Sequence, residues 1–590
     1  MKASELRQKY LDFFVKKEHK KLPNVSLVPE NDPTTLFISA GMQPLVPYLL
    51  GEPHPLGKKL VSLQRCLRTG DIEKVGNVFH NTFFEMLGNW SLGNYWKKES
   101  LALSFEFLTR ILGLNPQRFH VTIFKGGKNA PKDVESEKAW LSLGIPKKRI
   151  YPLSKTDNWW EAGKTGPGGP DSEIFYDIGK SACGSKCRPG DNCGRFFEIW
   201  NNVFMEYNRQ PDGSYEKLKQ RNVDTGMGVE RTTAVLEGKD DIYQTELFAP
   251  VIGEIEQISG QKYEAGRQKS MRIIADHLRA AVFLLGDGVL PSNVERGYVL
   301  RRLIRRAIRF GRNLGIKEKF GKRLAKVVIE QYQNEYSYLG QQEKQIKKEL
   351  TQEEERFGRM LVRSLREIEK YKRLDAKIAF YLYETYGIPL EMIQEIVQER
   401  GQKIDKKVFE KEFKKHQELS RAGVEKKFKG GLADHSETVT KLHTATHLLH
   451  QALRNVLGEH VRQVGSNITA ERLRFDFIHP KKLTDEQIKK VEEIVNQKIK
   501  EDLPVKMQVM SFDEAKRKNA LAFFGERYGE KVKVYSINPS TSSGQVYSME
   551  VCGGPHVTST GKIGNVKIIK EKTVGAGRRR IYMKLACPAG

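Results

Sequence analysis

Apolar residues recur every three or four positions along several stretches of the chain, a spacing that predicts amphipathic helices. Residues 4–19, 268–286 and 294–313 carry it most clearly. In the last, Leu300, Leu303, Ile304, Ala307 and Ile308 fill one side, while Arg302, Arg305, Arg306, Arg309 and Arg312 fill the other. A solvated cationic face and a phosphate-binding face both fit that pattern, and the second is the one expected here. Residues 340–372 are equally periodic but highly charged, with Glu353, Glu354, Glu355, Arg356 and Phe357 in succession. That stretch predicts a solvated helix packed on its neighbours. Residues 61–68 and 78–86 read as strands joined by a loop from Thr69 to Gly76, which makes a hairpin. Residues 222–231 (NVDTGMGVER) read as a strand end, a close backbone approach at Gly226 and Gly228, and the start of a helix running to Leu236. Glycines let a ligand press against the main chain, and a helix N-terminus favours an anion. The bland alternative for this stretch is a tight strand–helix turn with surface charges. The apolar runs are all too short for a membrane-spanning helix.

A chain of 590 residues is too long for one hydrophobic core, so two to four domains are expected. The 100 Lys and Arg residues outnumber the 73 Asp and Glu residues by 27, and the excess is spread along the chain. That balance points to a polyanionic partner, nucleic acid first. The N-terminus opens as a charged amphipathic helix, unlike a secretion signal. The cysteines are few, which favours a reducing, cytoplasmic setting with thiols free or on metal.

Candidate chemistry gathers at a few positions. Arg68 and Phe84 sit on facing strands of the predicted hairpin, where a guanidinium could pair with phosphate and a ring stack on a base. A surface Arg and a core aromatic is the competing reading. Arg231 offers a planar fork of donors suited to phosphate, and Asp224 could hold a ligand ammonium. His443 and His447 are four apart and share one helical face, and Cys552 and His556 follow much later. Two His plus a Cys-x3-His supply four ligands, enough to close a tetrahedral zinc site. No Glu follows the first His, so zinc-dependent peptide hydrolysis is disfavoured. Cys183, Cys187 and Cys193 could also bind zinc or form a free-thiol loop, and their spacing supplies no fourth ligand.

Longer matches carry a resemblance. Arg68, the His80-x3-Phe84 spacing and Gly226-x-Gly228-x-Glu230-Arg231 resemble motifs 2 and 3 of class II aminoacyl-tRNA synthetases. Residues 28–37 (VPENDPTTLF), 40–42 (AGM), 62–66 (SLQRC), 81–89 (NTFFEMLGN) and 200–205 (WNNVFM) resemble the alanyl-tRNA synthetase family in particular. The resemblance covers nearly the whole chain. It implies an α+β multidomain protein: a class II antiparallel sheet with flanking helices over 1–240, a helical tRNA-recognition region over 241–425, a linker over 426–435 and a zinc-containing α+β editing domain over 436–590. The activity it implies is ATP-dependent joining of alanine to tRNA(Ala), with magnesium in the synthetic site and zinc in the editing site.

Residue roles follow by the same resemblance. Arg68 would contact the α-phosphate, Arg231 the γ-phosphate, and Phe84 the adenine of ATP. Trp160, Asn201 and Val203 would line the alanine pocket, and Asp224 would hold the alanine ammonium. Asn293, Arg305 and Glu391 match positions that read the acceptor stem, with Glu391 standing where Asp is usual. Thr446 and Gln463 match editing positions, and His443, His447, Cys552 and His556 match zinc ligands. Two features depart from the family pattern. The segment after the motif 2 Arg, Thr69 to Glu73, is short, and residues 166–171 (GPGGPD) lack the cysteines common there. A β-barrel and a C-terminal oligomerisation domain found in many relatives have no counterpart, which suggests a monomer. An editing-only deacylase with a lapsed synthetic half is the alternative reading, and intact Arg68, Asp224 and Arg231 speak against it.

Overall fold

In a computed structural model the chain forms two compact units, Met1–Ile404 and Asp405–Gly590. The structure describes residues 1–29, 35–402, 408, 436–521, 531–538 and 546–586, except residues 129, 164, 186, 192, 387, 575 and 576. The expected linker over 426–435 and part of the 28–37 motif lie outside the described residues, as does most of 403–425.

The first unit is built on a nine-stranded sheet. In order across it come β1 (Lys20–Lys21), β2 (Lys59–Leu67), β3 (Phe83–Leu92), β9 (Tyr215–Gly228), β8 (Phe196–Arg209), β7 (Gly166–Asp177), β4 (Phe119–Phe124) and β5 (Ile150–Leu153). β6 (Trp159–Glu161) pairs with β7 off this path. The outer pairs β1–β2 and β4–β5 are parallel, and the pairs between them are antiparallel. The expected hairpin forms, with Cys66 opposite Phe84. Its second strand, however, starts at Phe83 rather than residue 78 and runs on to Leu92. Asn77 explains the shift. Its side-chain oxygen accepts from the backbone N–H groups of Phe79 at 3.1 Å and His80 at 2.9 Å. Such a turn draws those donors away from the ladder.

The predicted helices at Gln268–Gly286 and Glu295–Asn313 are both present. The first is buried along almost its whole length, the behaviour of a core helix. Its charges are paired: Arg272 meets Asp241 at 2.7 Å, Arg279 meets Glu230 at 2.9 Å, and Asp276 accepts from the Thr82 N–H at 2.8 Å. The arginines of the second helix require a correction. Arg306 and Arg309 are buried against Glu395, and Arg309 also binds Glu399, so neither is a free phosphate ligand. Arg302 pairs with Glu73. Arg305 holds Glu353 at 2.7 Å and stacks over Phe357 at 5.0 Å.

The charged helix Glu343–Glu369 is corrected with it, because Glu353 and Glu354 are buried rather than solvated. Glu353 binds Arg301 at 3.3 Å as well as Arg305. Glu354 accepts from the N–H groups of Phe320 and Gly321, both at 3.0 Å, at the start of helix Gly321–Tyr332. A carboxylate there is favoured by the unpaired donors and the helix dipole.

Among its described residues the second unit has two sheets. One runs β10 (Gln463–Ile468), β11 (Leu473–Ile478), β16 (Arg578–Leu585), β15 (Val566–Thr573), and the other β12 (Val505–Ser511), β13 (Lys531–Ile537), β14 (Ser548–Val551). Helices Glu437–Leu457 and Asp485–Lys500 supply Leu442, Leu449 and Val491 to a core shared with Phe475, Phe477 and Ile581. Thr484 and Gln487 form a reciprocal cap that fixes where the second helix starts.

Candidate functional site

The register of four adjacent strands assembles the site of the first unit. Asp224 on β9 lies opposite Trp90 of β3 and opposite Val203 of β8, and Val203 in turn lies opposite Asp171 of β7. Two residues along, Gly226 lies opposite Asn201, and Asn201 opposite Glu173. Alternate residues of a strand share a face, so both rows line the same side of the sheet. Above them is a cavity of about 1520 Å³ that also takes in Arg68, Phe84, Trp160, Glu198, Gly228 and Arg231. Arg68, Phe84, Trp160, Asn201, Val203, Asp224, Gly226, Gly228 and Arg231 are thus brought to one place.

This cavity carries both signs of charge. The Arg68 guanidinium lies 4.9 Å from the centre of the Phe84 ring and donates from Nε to the Ser39 carbonyl at 3.2 Å. Arg231, in the first turn of helix Val229–Leu236, meets Glu198 at 2.7 Å and the Phe79 carbonyl at 3.2 Å. Burial, and then the charge of Arg231, hold the His80 imidazole down to about 4, so it is neutral at physiological pH. Asp224 is buried, and the Trp90 indole donates to it at 2.6 Å. Burial pushes its carboxyl up to about 7 in spite of that bond. Asp171 is pushed to about 7 by burial against the donors Asn158 and Asn201. Glu173 is raised as well, by burial and then by the charges of Glu198 and Asp171.

Sequence reading missed this acidic wall and missed Trp90. The available signal was the alternation of Asp171 and Glu173 at the end of the glycine-rich run. That run is glycine-rich for a steric reason, since a Cβ at Gly169 would sit 2.0 Å from the Phe204 carbonyl oxygen. At Gly226 a Cβ would meet the Met86 sulfur at 3.1 Å, while at Gly228 it would meet nothing within 4 Å and project into open space.

Asn293, Arg305 and Glu391 converge on one face of helix Glu295–Asn313. Exposed Asn293 accepts from Arg301, Arg301 and Arg305 share Glu353, and Glu391 accepts from the Tyr298 hydroxyl at 3.3 Å. Tyr298, Arg301 and Arg305 are spaced three and four apart and so lie in one line along the helix.

In the second unit, donor atoms of His443, His447, Cys552 and His556 all lie within 4.8 Å of one another. His443 Nε2 is 3.2 Å from the Cys552 sulfur, while its Nδ1 faces the Pro555 carbonyl at 3.0 Å. His556 Nδ1 meets the Thr444 hydroxyl at 3.2 Å, and its Nε2 is buried with no hydrogen-bond partner. His443 and His556 are therefore held by their outer nitrogens with the inner ones turned into the cluster, the arrangement of metal-ligating histidines. Burial acts to raise the Cys552 thiol, but the surrounding imidazoles of His443, His447 and His556 prevail and bring it down to about 2. A thiolate and three imidazoles are a zinc donor set. Thr446 lies buried one turn along from His443 and donates to the Leu442 carbonyl at 2.8 Å. Gln463 is half-buried at the start of β10, opposite Phe477.

Comparison with known proteins agrees with this architecture. Residues 5–475 match the family "tRNA synthetases class II (A)", and residues 532–582 match "Threonyl and Alanyl tRNA synthetase second additional domain". An alanine–tRNA ligase of Treponema denticola is 55% identical over 98% of each chain. One of Borreliella afzelii is 52% identical over 98% of this chain and 99% of its own. One of Lachnoclostridium phytofermentans is 38% identical over 98% of this chain and 79% of its own. With identity of that degree over almost the whole length, the chain belongs to the alanyl-tRNA synthetase family of class II aminoacyl-tRNA synthetases.

Proposed function

We propose that the first unit activates alanine with ATP and transfers it to the 3′ end of tRNA(Ala), and that the second unit hydrolyses serine and glycine esters of the same tRNA. One observation carries the synthetic half: a single cavity places the buried anion Asp224, walled by Trp160 and Val203, beside the cations Arg68 and Arg231. The alanine ammonium binds Asp224 and supplies the positive charge that keeps this carboxylate ionised in a dry site. Val203, directly across the strand pair, leaves room for a methyl side chain.

Phe84 stacks on adenine, Arg68 contacts the α-phosphate, and Arg231 exchanges Glu198 for the γ-phosphate. The alanine carboxylate attacks the α-phosphorus and pyrophosphate leaves, giving alanyl-adenylate. The terminal tRNA hydroxyl then attacks the alanyl carbonyl and AMP leaves. No side chain is a nucleophile, so the protein acts by position and charge. Glu173 and Glu198 offer the hard oxygen donors that magnesium takes, and the mutual repulsion that raises Glu173 would be relieved by a cation. When bound, magnesium would neutralise phosphate charge.

Asn293, Arg305 and Glu391 meet the acceptor stem, with Arg305 leaving Glu353 to do so. The need for the second unit is energetic. A pocket fitted to a methyl discriminates against glycine or serine by only about 1–3 kcal/mol. His443, His447, Cys552 and His556 would hold zinc, which when bound polarises the ester or a water. Thr446 and Gln463 orient the substrate beside them.

The test is alanine-dependent exchange of pyrophosphate into ATP by the purified protein. Exchange is expected with alanine and magnesium. Its absence, with Ser-tRNA(Ala) still hydrolysed, would leave the editing-only reading in its place.

A further inference from the structure

The connection between β7 and β8, residues 178–195, joins two strands that line the synthetic cavity, yet contains no helix or strand among its described residues. Residues 181–185 are exposed, and Pro189 and Gly194 are the only buried residues among the described ones. So little buried surface does not hold eighteen residues in one conformation.

Three thiols nevertheless converge in it. The sulfurs of Cys183, Cys187 and Cys193 all lie within 4.8 Å of one another, and those of Cys187 and Cys193 are 3.8 Å apart. A disulfide would require about 2.05 Å. Thiolates at about 2.3 Å from a tetrahedral zinc stand roughly 3.8 Å from each other. Tight turns bring the thiols inward. The Cys187 N–H donates to the Gly184 carbonyl at 3.2 Å, the Arg188 N–H to the Asp191 carboxylate at 2.9 Å, and the Cys193 N–H to the Asp191 carbonyl at 2.7 Å. A cavity beside the sulfurs is lined by Cys183, Cys187 and Asp191, which leaves a fourth position open.

We infer that Cys183, Cys187 and Cys193 bind a zinc ion through three thiolates, with a water completing the tetrahedron. Binding releases the three thiol protons, and the ion does for this connection what a hydrophobic core does elsewhere. Its place is structural. The base of the connection is closed by Arg195 on Asp177 at 2.6 Å and by the Ile178 N–H on the Arg195 carbonyl at 3.0 Å. Three residues beyond Arg195, β8 presents Glu198 to Arg231. The cluster therefore fixes where β8 begins and so where the Glu198 carboxylate stands.

The test compares zinc content per full-length chain, by plasma mass spectrometry, in the wild type and in a Cys183→Ser/Cys187→Ser/Cys193→Ser variant. A loss of one zinc per chain is expected, whatever the occupancy of the histidine-rich site, because the variant leaves that site intact. Equal zinc in both proteins overturns the inference. A second measurement needs no variant: alkylation of the three cysteines by iodoacetamide, followed by peptide mass spectrometry before and after chelation. Alkylation is expected to speed up at least about tenfold once the metal is removed. Thiols that react at the same rate with and without chelator, or a peptide two mass units light from a disulfide, would refute it.

Discussion

Asp224→Asn separates the cost of the buried carboxylate from its use. Burial moves this carboxyl from 3.8 to about 7. That displacement corresponds to roughly 4 kcal/mol between the two protonation states. Because the folded value is raised, the folded protein keeps a proton that the unfolded chain gives up between pH 4 and 7. Wild-type stability therefore falls as pH rises through that window, and the loss is complete above pH 7. The asparagine keeps the Trp90 bond at 2.6 Å through its carbonyl oxygen but has no charge to bury.

The variant without ligands should thus match the wild type near pH 4 and exceed it by up to about 4 kcal/mol at pH 8. For a unit of 404 residues that is about 5 °C in melting temperature. Alanine-dependent exchange should meanwhile fall by two to three orders of magnitude, about 3–4 kcal/mol, because the substrate ammonium loses its counter-charge in a dry site. Differential scanning calorimetry of both proteins across pH 4–8, run beside exchange assays, reads both effects. A variant no more stable at pH 8 than at pH 4, relative to wild type, would refute the account of Asp224 as an unpaired buried anion awaiting a cation.

Other perturbations test the rest of the site. Val203→Ala should raise the kcat/KM for serine relative to alanine about tenfold or more in exchange assays, since a lost methyl pair is worth about 1–3 kcal/mol; an unchanged ratio would remove Val203 from the pocket wall. Arg231→Ala should lower exchange about a hundredfold, chiefly through KM for ATP, with folding intact by circular dichroism, as expected for losing a charge-assisted phosphate contact. Glu353→Ala leaves Arg301 and Arg305 without their shared, buried carboxylate. It should cost about 3 kcal/mol or more in urea denaturation. Cys552→Ser should abolish hydrolysis of Ser-tRNA(Ala) and leave alanine-dependent exchange unchanged, which a paired assay on one preparation would check.

What was legible in the sequence is what the chain carries in short covalent spans. His443 and His447 share a helical face by spacing alone, and Cys552 and His556 are one short loop apart, so each half of the quartet was visible. Asp224, Gly226 and Arg231 were legible for the same reason. The acidic wall was not, because Glu173 faces Asn201 and Glu198 meets Arg231 only through the order in which the strands pair. Periodicity also misread charge. It placed Arg306 and Arg309 on a phosphate-binding face and Glu353 and Glu354 on a solvated one, although each is buried against an opposite charge or a helix end contributed by distant chain. A polar residue reads as exposed until its partner is known. The late start of β3 was legible in principle, since an Asn two and three residues before the N–H groups it captures is a turn signal.

The helix Gln268–Gly286 has a consequence for any attempt to trim the protein to a minimal synthetase. Arg279 lies fully buried between the Glu230 carboxylate, the Phe83 carbonyl and the Tyr332 hydroxyl. A fragment ending near residue 240 would keep Glu230 and Glu85 in its interior but lose Arg279 and Tyr336, their partners from the rest of the unit. A fragment that keeps these pairs around the cavity therefore extends past Tyr336, and the helices that follow the sheet are part of its foundation rather than an appendage to it.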